Sequence, residues 1–230
     1  SLPSEMNFDN YYHAFVTANI GRCIINTLVI TSLSVLLLLV VSSMASYAIA
    51  TINIKVNEIL LMYFTIGIMV PIHVTLIPLY SLISKLNGEN NYLTMILLYA
   101  AFQIPMSVFL ITGFMKGISN EIKEAAVIDG CGVFRLLLVI YAPLSAPIIS
   151  TSAITAFLFI YKDLIFAVLF ITKKSMYTIS LGMLAFVGEM TVDMGPIFAS
   201  IVLSTLPMTI VYLLFQEKIE TGLCAGAIKG

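Results

Sequence analysis

The side chains that could do chemistry are few, and one segment concentrates them. Ser119 to Phe134 reads SNEIKEAAVIDGCGVF, with Glu121, Lys123, Glu124 and Asp129 inside nine residues. Elsewhere the candidates stand alone. His73 lies between Pro71 and Pro78 in an apolar run. An ionisable group at such depth is a functional candidate by default. A neutral imidazole bonded to a carbonyl freed by a proline is the equally open reading. A catalytic pair would need a nucleophile beside its base, and no Ser lies within a turn of His73. Two His, and three Cys at 23, 131 and 224 with no CxxC pair, form no metal or redox set. The phosphate-loop pattern GxxxxGK[ST] is absent and Gly-Lys does not occur, so the chain has no nucleotide site of that kind.

The elements that must position these groups follow from the charge spacing. The 230 residues are 60% hydrophobic and 10% charged, against about 25% charged in a soluble domain. Charge-free gaps of 32 residues (Arg22 to Lys55), 26 (Glu58 to Lys85), 26 (Glu89 to Lys116), 26 (Arg135 to Lys162) and 23 (Asp193 to Glu217) punctuate the chain. A bilayer core of about 30 Å takes roughly 20 apolar residues in a helix. A soluble enzyme is therefore excluded, and the net charge of −1 gives no nucleic-acid footprint. Long continuous apolar runs exclude a barrel of short alternating strands. The prediction is an all-α, polytopic membrane protein with five spans, at about 24–50, 59–83, 92–115, 136–161 and 194–216.

Residues 1–22 read as an aqueous or interfacial segment, with Tyr11, Tyr12 and Phe15 suited to a membrane surface. They hold no basic region ahead of an apolar core, so no signal peptide is expected. In the first span, Ser42, Ser46 and Ala50 recur every four residues, a spacing that lets helix backbones approach closely. Pro71 and Pro78 are expected to kink the second span. Gly113 and Gly117 form a GxxxG interrupted by Lys116. After Asp163 comes a nine-residue charge-free run, apolar from Leu164 to Ile171, then Lys173-Lys174 and a polar loop.

Within Ser119–Phe134 the sequence predicts a helix of roughly nine residues, about 14 Å long. Ser119 or Asn120 caps it, Glu121 and Glu124 favour its positive end, and Gly130 supplies a left-handed stop. So short a helix is marginal alone in water. Its Ala125–Ala126 surface, flanked by Glu124 and Asp129 with Ile122 and Ile128 as anchors, suits a groove on another protein. A plain interfacial connector fits the same residues. Alternating spans place 55–58, 116–135 and 217–230 on one side, with Lys55, Lys116, Lys123, Arg135, Lys218 and Lys229. Six positive charges against five do not decide the orientation.

The segment Glu124-Ala125-Ala126-Val127-Ile128-Asp129-Gly130, followed by Pro143-Leu144 and Pro147, resembles the EAA signature of the membrane subunits of ATP-binding-cassette importers. More narrowly it is similar to the carbohydrate-uptake branch, of the maltose-permease kind. Asn26-Thr27, the stretch from Pro71 to Tyr80, and the closing Gly222 to Gly230 extend the resemblance over essentially the whole chain. Cys131 stands where the family usually has Ala, Ala142 where Leu is more usual, and Tyr161-Lys162-Asp163 where Trp-Asn-Glu is common.

The resemblance implies one transmembrane permease domain over 1–230, in a bacterial-type inner membrane, with 119–135 a cytoplasmic coupling loop. Glu124, Ala125, Ala126, Asp129 and Gly130 would meet an ATPase. A further helix ahead of residue 1 is implied, making six. The implied partners are a second permease subunit, two ATPase subunits that hold ATP and Mg, an extracytoplasmic solute-binding protein and membrane lipid. No cofactor is expected in this chain. Tyr63, Gln103, Tyr161 and Asp163 are the pathway candidates, each also explicable by helix packing. The competing class is an ion-gradient-driven secondary transporter, which would place carboxylates at midplane. None lies inside the five spans.

Overall fold

The computed structural model describes residues 9–17, 19–52, 56–184 and 194–227, and the side chains of these except Thr17 and 217–227. Lys55, the polar loop 185–193 and the end of the closing Gly222–Gly230 segment lie outside the described residues. Among the described residues there are helices and no strand: α1 (Asp9–Thr17), α2 (Ile20–Thr51), α3 (Asn57–Met69), α4 (Ile72–Lys85), α5 (Tyr92–Met115) and α6 (Asn120–Ile128). Next come α7 (Val133–Leu136), a π turn (Leu137–Tyr141), α8 (Ala142–Leu144), α9 (Ala146–Tyr161), α10 (Ile165–Phe170), α11 (Ile179–Met183) and α12 (Met194–Ala227). Three of these, α2, α5 and α12 as far as Gln216, are long and apolar enough to cross a membrane alone. The bent pairs Asn57–Met69 with Ile72–Lys85 and Val133–Leu144 with Ala146–Tyr161 complete five.

The first span buries a stripe of mostly small and polar residues, Cys23, Thr27, Ser34, Ser42 and Ser46, together with Ile30 and Leu38. This follows from the solvent: lipid is as apolar as Leu, so small residues that admit a neighbour's backbone mark the inner face. The hydroxyls satisfy themselves on carbonyls one turn back, Ser34 on Ile30 at 2.7 Å and Ser42 on Leu38 at 2.7 Å. Ser46 instead donates across the seam to the Val108 carbonyl of α5, at 3.2 Å. On the far side of α5, Ser107 meets Ser152 of α9 at 2.7 Å. Ser42 and Ser46 are fully buried, while Ala50 is half-buried at the seam's end. Ser46→Leu should overpack this seam, lowering stability by about 1–3 kcal/mol, measurable as thermal unfolding in detergent. By contrast nothing lies within 4 Å of a Cβ built on Gly113, so Gly113 makes no close helix approach within this chain.

Two predicted spans are broken rather than kinked. The second turns by 96° between α3 and α4. Val70 is extended (ψ 116°), as a residue before proline tends to be, and Pro71 starts the next helix with no donor to give. Pro78, in contrast, sits inside α4 without ending it. The fourth span turns by 78° at Ser145, between Pro143 and Pro147, directly after the π turn. Span one also begins at Ile20, four residues before its predicted start. The polar N-terminal stretch forms α1, whose Ala14 packs with Ile20 and Ala199 while Tyr12 and Phe15 stay exposed. Gly195 faces the Asn10 side chain, whose amide oxygen would lie 2.5 Å from an added Cβ and would have to shift to admit one.

The apolar run after Asp163 becomes α10, which inserts Phe166 and Phe170 into the main core with Ile30, Leu38, Leu98 and Tyr99. Tyr80 of α4 stacks on Phe170, ring centroids 6.1 Å apart.

Candidate functional site

The α6 helix is closed at both ends by its own sequence. Ser119 Oγ accepts from the Glu121 N–H at 3.2 Å. At the other end Gly130 takes φ 78°, a left-handed conformation open to glycine at no steric cost. The Cys131 N–H then reaches the Ala126 carbonyl (2.9 Å) and the Gly130 N–H the Val127 carbonyl (3.0 Å). That pair of bonds is a Schellman closure.

One side chain seats the helix. Ala126 is buried, packing with Tyr47 of α2, Met115 of α5, and Leu136, Leu137 and Tyr141. Lys123 extends its ammonium to the Thr51 carbonyl at the C-terminal end of α2, 2.5 Å away. A helical period then turns Glu121, Glu124, Ala125 and Ile128 away from the core, and all four are exposed, as are Asp129 and Gly130. The predicted roles are therefore redistributed. Ile122 (41% exposed) and Ile128 (84% exposed) do not anchor the helix, and of the two alanines Ala126 is buried while Ala125 is exposed. Of Glu124, Ala125, Ala126, Asp129 and Gly130, the structure brings all but Ala126 together on the outer surface.

The pathway candidates separate. Tyr63 is 71% exposed on α3, and Gln103 is half-buried on α5. Those two helices meet closely where Gly67 lies against Pro105, 3.2 Å from an added Cβ. Tyr161 is buried, and its hydroxyl donates to the Ser204 carbonyl of α12 at 2.9 Å. Asp163 caps α10: its Oδ2 accepts the Phe166 N–H (3.0 Å) and the Tyr99 hydroxyl (2.8 Å). Burial pushes the Asp163 carboxyl above its ordinary value, opposed by those hydrogen bonds. The folded chain thus holds this proton longer than the unfolded one does. Stability contributed by the protonated form is lost as pH rises from about 4 through the raised value. Asp163→Asn should flatten that decline in a detergent melting series. His73 stands exposed at the start of α4, directly after the break.

Sequence reasoning did not find a polar clamp at the end of the bundle opposite α6. Asn26 donates to the carbonyls of Ser175 (3.1 Å) and Tyr177 (3.0 Å) and accepts from the Tyr92 hydroxyl (2.9 Å). Thr27 Oγ1 accepts the Ile179 N–H at 2.9 Å. Asn90, at φ 53°, accepts the N–H groups of Thr172 (2.8 Å) and Lys173 (2.7 Å). An Asn ahead of a span, where left-handed backbone is tolerated, was the available signal. Two grooves of about 350 and 370 Å³ flank α2, lined mainly by apolar side chains such as Val35, Leu39, Phe157, Phe215 and Leu138.

Known proteins fit this geometry. Residues 42–223 match the family described as the binding-protein-dependent transport system inner membrane component. A putative ABC transporter permease protein, ORF2 of Caldicellulosiruptor sp. (strain Rt8B.4), is 36% identical over 229 residues, covering all of this chain and 83% of that protein. The melibiose/raffinose/stachyose import permease protein MelC of Bacillus subtilis (strain 168) is 32% identical, again over 100% of this chain and 83% of its own length. The crystal structure of a bacterial ABC transporter involved in the import of the acidic polysaccharide alginate shares the fold. Its TM-score is 0.84 at 18% identity, over 94% of this chain and 81% of that one. This chain belongs to the binding-protein-dependent transport system inner membrane component family, as a multi-pass membrane protein.

Proposed function

We propose that this chain forms half of the translocation pathway of an ATP-driven importer for a sugar or oligosaccharide. The observation that carries the proposal is α6: a short helix between two spans, capped at both ends and seated by Ala126, with Glu124, Ala125, Ile128 and Asp129 left outward. A nine-residue helix is marginal alone, and such rigid presentation fits a docking knob better than a connector. Segment 119–135 is the cytoplasmic coupling loop. Its counterpart is an ATPase subunit, present in two copies, which binds ATP and Mg. A second permease completes the pathway, and an extracytoplasmic binding protein delivers the solute. The mostly apolar lining of the α2 grooves supports the need for a second subunit, because a polar solute requires polar walls.

The sugar class rests on relatives named for sugar uptake, such as MelC and the trehalose/maltose permease MalG of Thermococcus litoralis. Tyr63 and Gln103 keep surface available to a solute. Tyr161 and Asp163 shape the wall from behind, since their polar atoms are engaged with Ser204, Tyr99 and Phe166. The chain's charge-free spans offer no carboxylate for ion coupling. The test is uptake of a raffinose-family sugar into proteoliposomes holding the whole complex. ATP on the ATPase side should be required and an ionophore without effect. Uptake that an ionophore abolishes and ATP does not drive would establish the secondary-transporter reading instead.

A further inference from the structure

The contacts at the two ends of α2 form one mechanical element. At the α6 end, Lys123 holds the Thr51 carbonyl at 2.5 Å, and Asn57 of α3 holds the carbonyl of Ile52. Terminal carbonyls of a helix lack partners of their own and carry partial negative charge, so an ammonium is well matched to them. The grip is reinforced from α2 itself. Tyr47 shares a cluster with Ala126 and packs edge-on against Tyr141, ring centroids 5.1 Å apart. From Thr51 back to Asn26 the helix runs without a proline or a break, about 38 Å at 1.5 Å per residue. At that far end Asn26 bonds the backbone of Ser175 and Tyr177, and Thr27 bonds that of Ile179. Beside α2 runs the continuous α5, with Met115 in the Ala126 cluster and the Tyr92 hydroxyl on Asn26, so the two helices form one straight pair, while the two bent routes between these ends are interrupted. The path through α3 and α4 turns by 96°, and the path from α7 to α9 by 78° across a π turn.

We propose that Lys123 is a positioning residue that fastens α6 to α2, and that α2 carries a displacement of α6 as a rigid rod to the backbone at 175–179. This rests on the reading of α6 as the ATPase-docking helix. A bent span absorbs displacement at its break, whereas a straight hydrogen-bonded helix transmits it. Lys123 therefore governs how much transport each ATP hydrolysed yields, while Glu124, Ala125 and Ile128 on the opposite face govern docking.

The experiment uses the complete transporter in proteoliposomes and measures ATP hydrolysed and sugar taken up together. Lys123→Met should retain the ATPase subunits and their hydrolysis while uptake per ATP falls about tenfold. Lys123→Arg, which keeps a cationic donor, should restore most of it. Asn26→Ala should uncouple similarly, and the double variant should be no worse than the poorer single one, because both act through the same rod. Spin labels at Ile122, which lies on α6 and is given no docking role, and at Lys174 provide a second readout that does not depend on uptake. Their separation should stay constant with and without nucleotide, and broaden in Lys123→Met. Unchanged uptake per ATP in Lys123→Met, losses that multiply in the double variant, or a nucleotide-dependent separation in the labelled protein would overturn the rod. Absence of an ATPase from the wild-type complex would instead overturn the docking reading on which it rests.

Discussion

Gly130→Val is expected to cut uptake roughly tenfold while leaving the membrane core folded. Gly130 closes α6 at φ 78°, where a side chain costs about 1–2 kcal/mol in an L-residue and more if it branches at Cβ. Nothing lies within 4 Å of the added Cβ, so the penalty is wholly one of backbone conformation. Losing it undoes the bonds from Cys131 to Ala126 and from Gly130 to Val127, and a helix this short has no reserve. About 1.4 kcal/mol corresponds to a tenfold change in the closed population. Gly130→Asn is the control, since Asn tolerates the left-handed region, and it should retain most uptake. Co-purification of the ATPase and uptake into proteoliposomes, measured side by side, check both variants.

The second large effect divides the two alanines of the EAA segment. Ala126 is buried against Tyr47, Met115, Leu136 and Leu137. Ala126→Leu should lift α6 off its seat and lower stability by about 1–3 kcal/mol through overpacking. Ala125 is exposed beside Glu124 and Ile128. Ala125→Arg should leave the melting temperature unchanged and abolish ATPase binding, because it places a long cation on the docking face. Melting and co-purification thus respond in opposite patterns: the first variant melts earlier, the second loses its partner. Equal responses in the two would mean that both alanines serve the same face.

The five spans were readable because charge spacing reports where lipid is, and lipid tolerates charges poorly. Which side of each helix faces its neighbours was readable only where small residues recur, as at Ser42 and Ser46. Hydropathy cannot show it in a membrane: α3 from Ile59 to Met69 is apolar but for Thr65, yet it has no buried residue. The caps of α6 were legible in Ser119 and Gly130, because capping is local chemistry. Its inward face was not, since Ile122 and Ile128 look like anchors until the approach of α2 makes Lys123 and Ala126 the contacts instead. Pro71 and the Pro143–Pro147 pair marked the broken spans, but proline fixes only its own φ and bars one donor. Whether the outcome is a kink or a turn of 96° depends on packing on either side. The clamp made by Asn26, Thr27 and Asn90 joins residues some 80 to 150 positions apart, and the lone local trace, an Asn ahead of a span, does not name its partners.

The most direct measurement is a detergent pull-down of this chain, tagged and expressed with its neighbours, identifying the captured proteins by mass. Wild type should bring down both an ATPase and a second permease subunit. Glu124→Lys, altering one exposed side chain on the outer face of α6, should lose the ATPase and keep the permease. An ATPase missing from the wild-type complex, or one retained undiminished by Glu124→Lys, Ala125→Arg and Gly130→Val alike, would contradict α6 as the docking element.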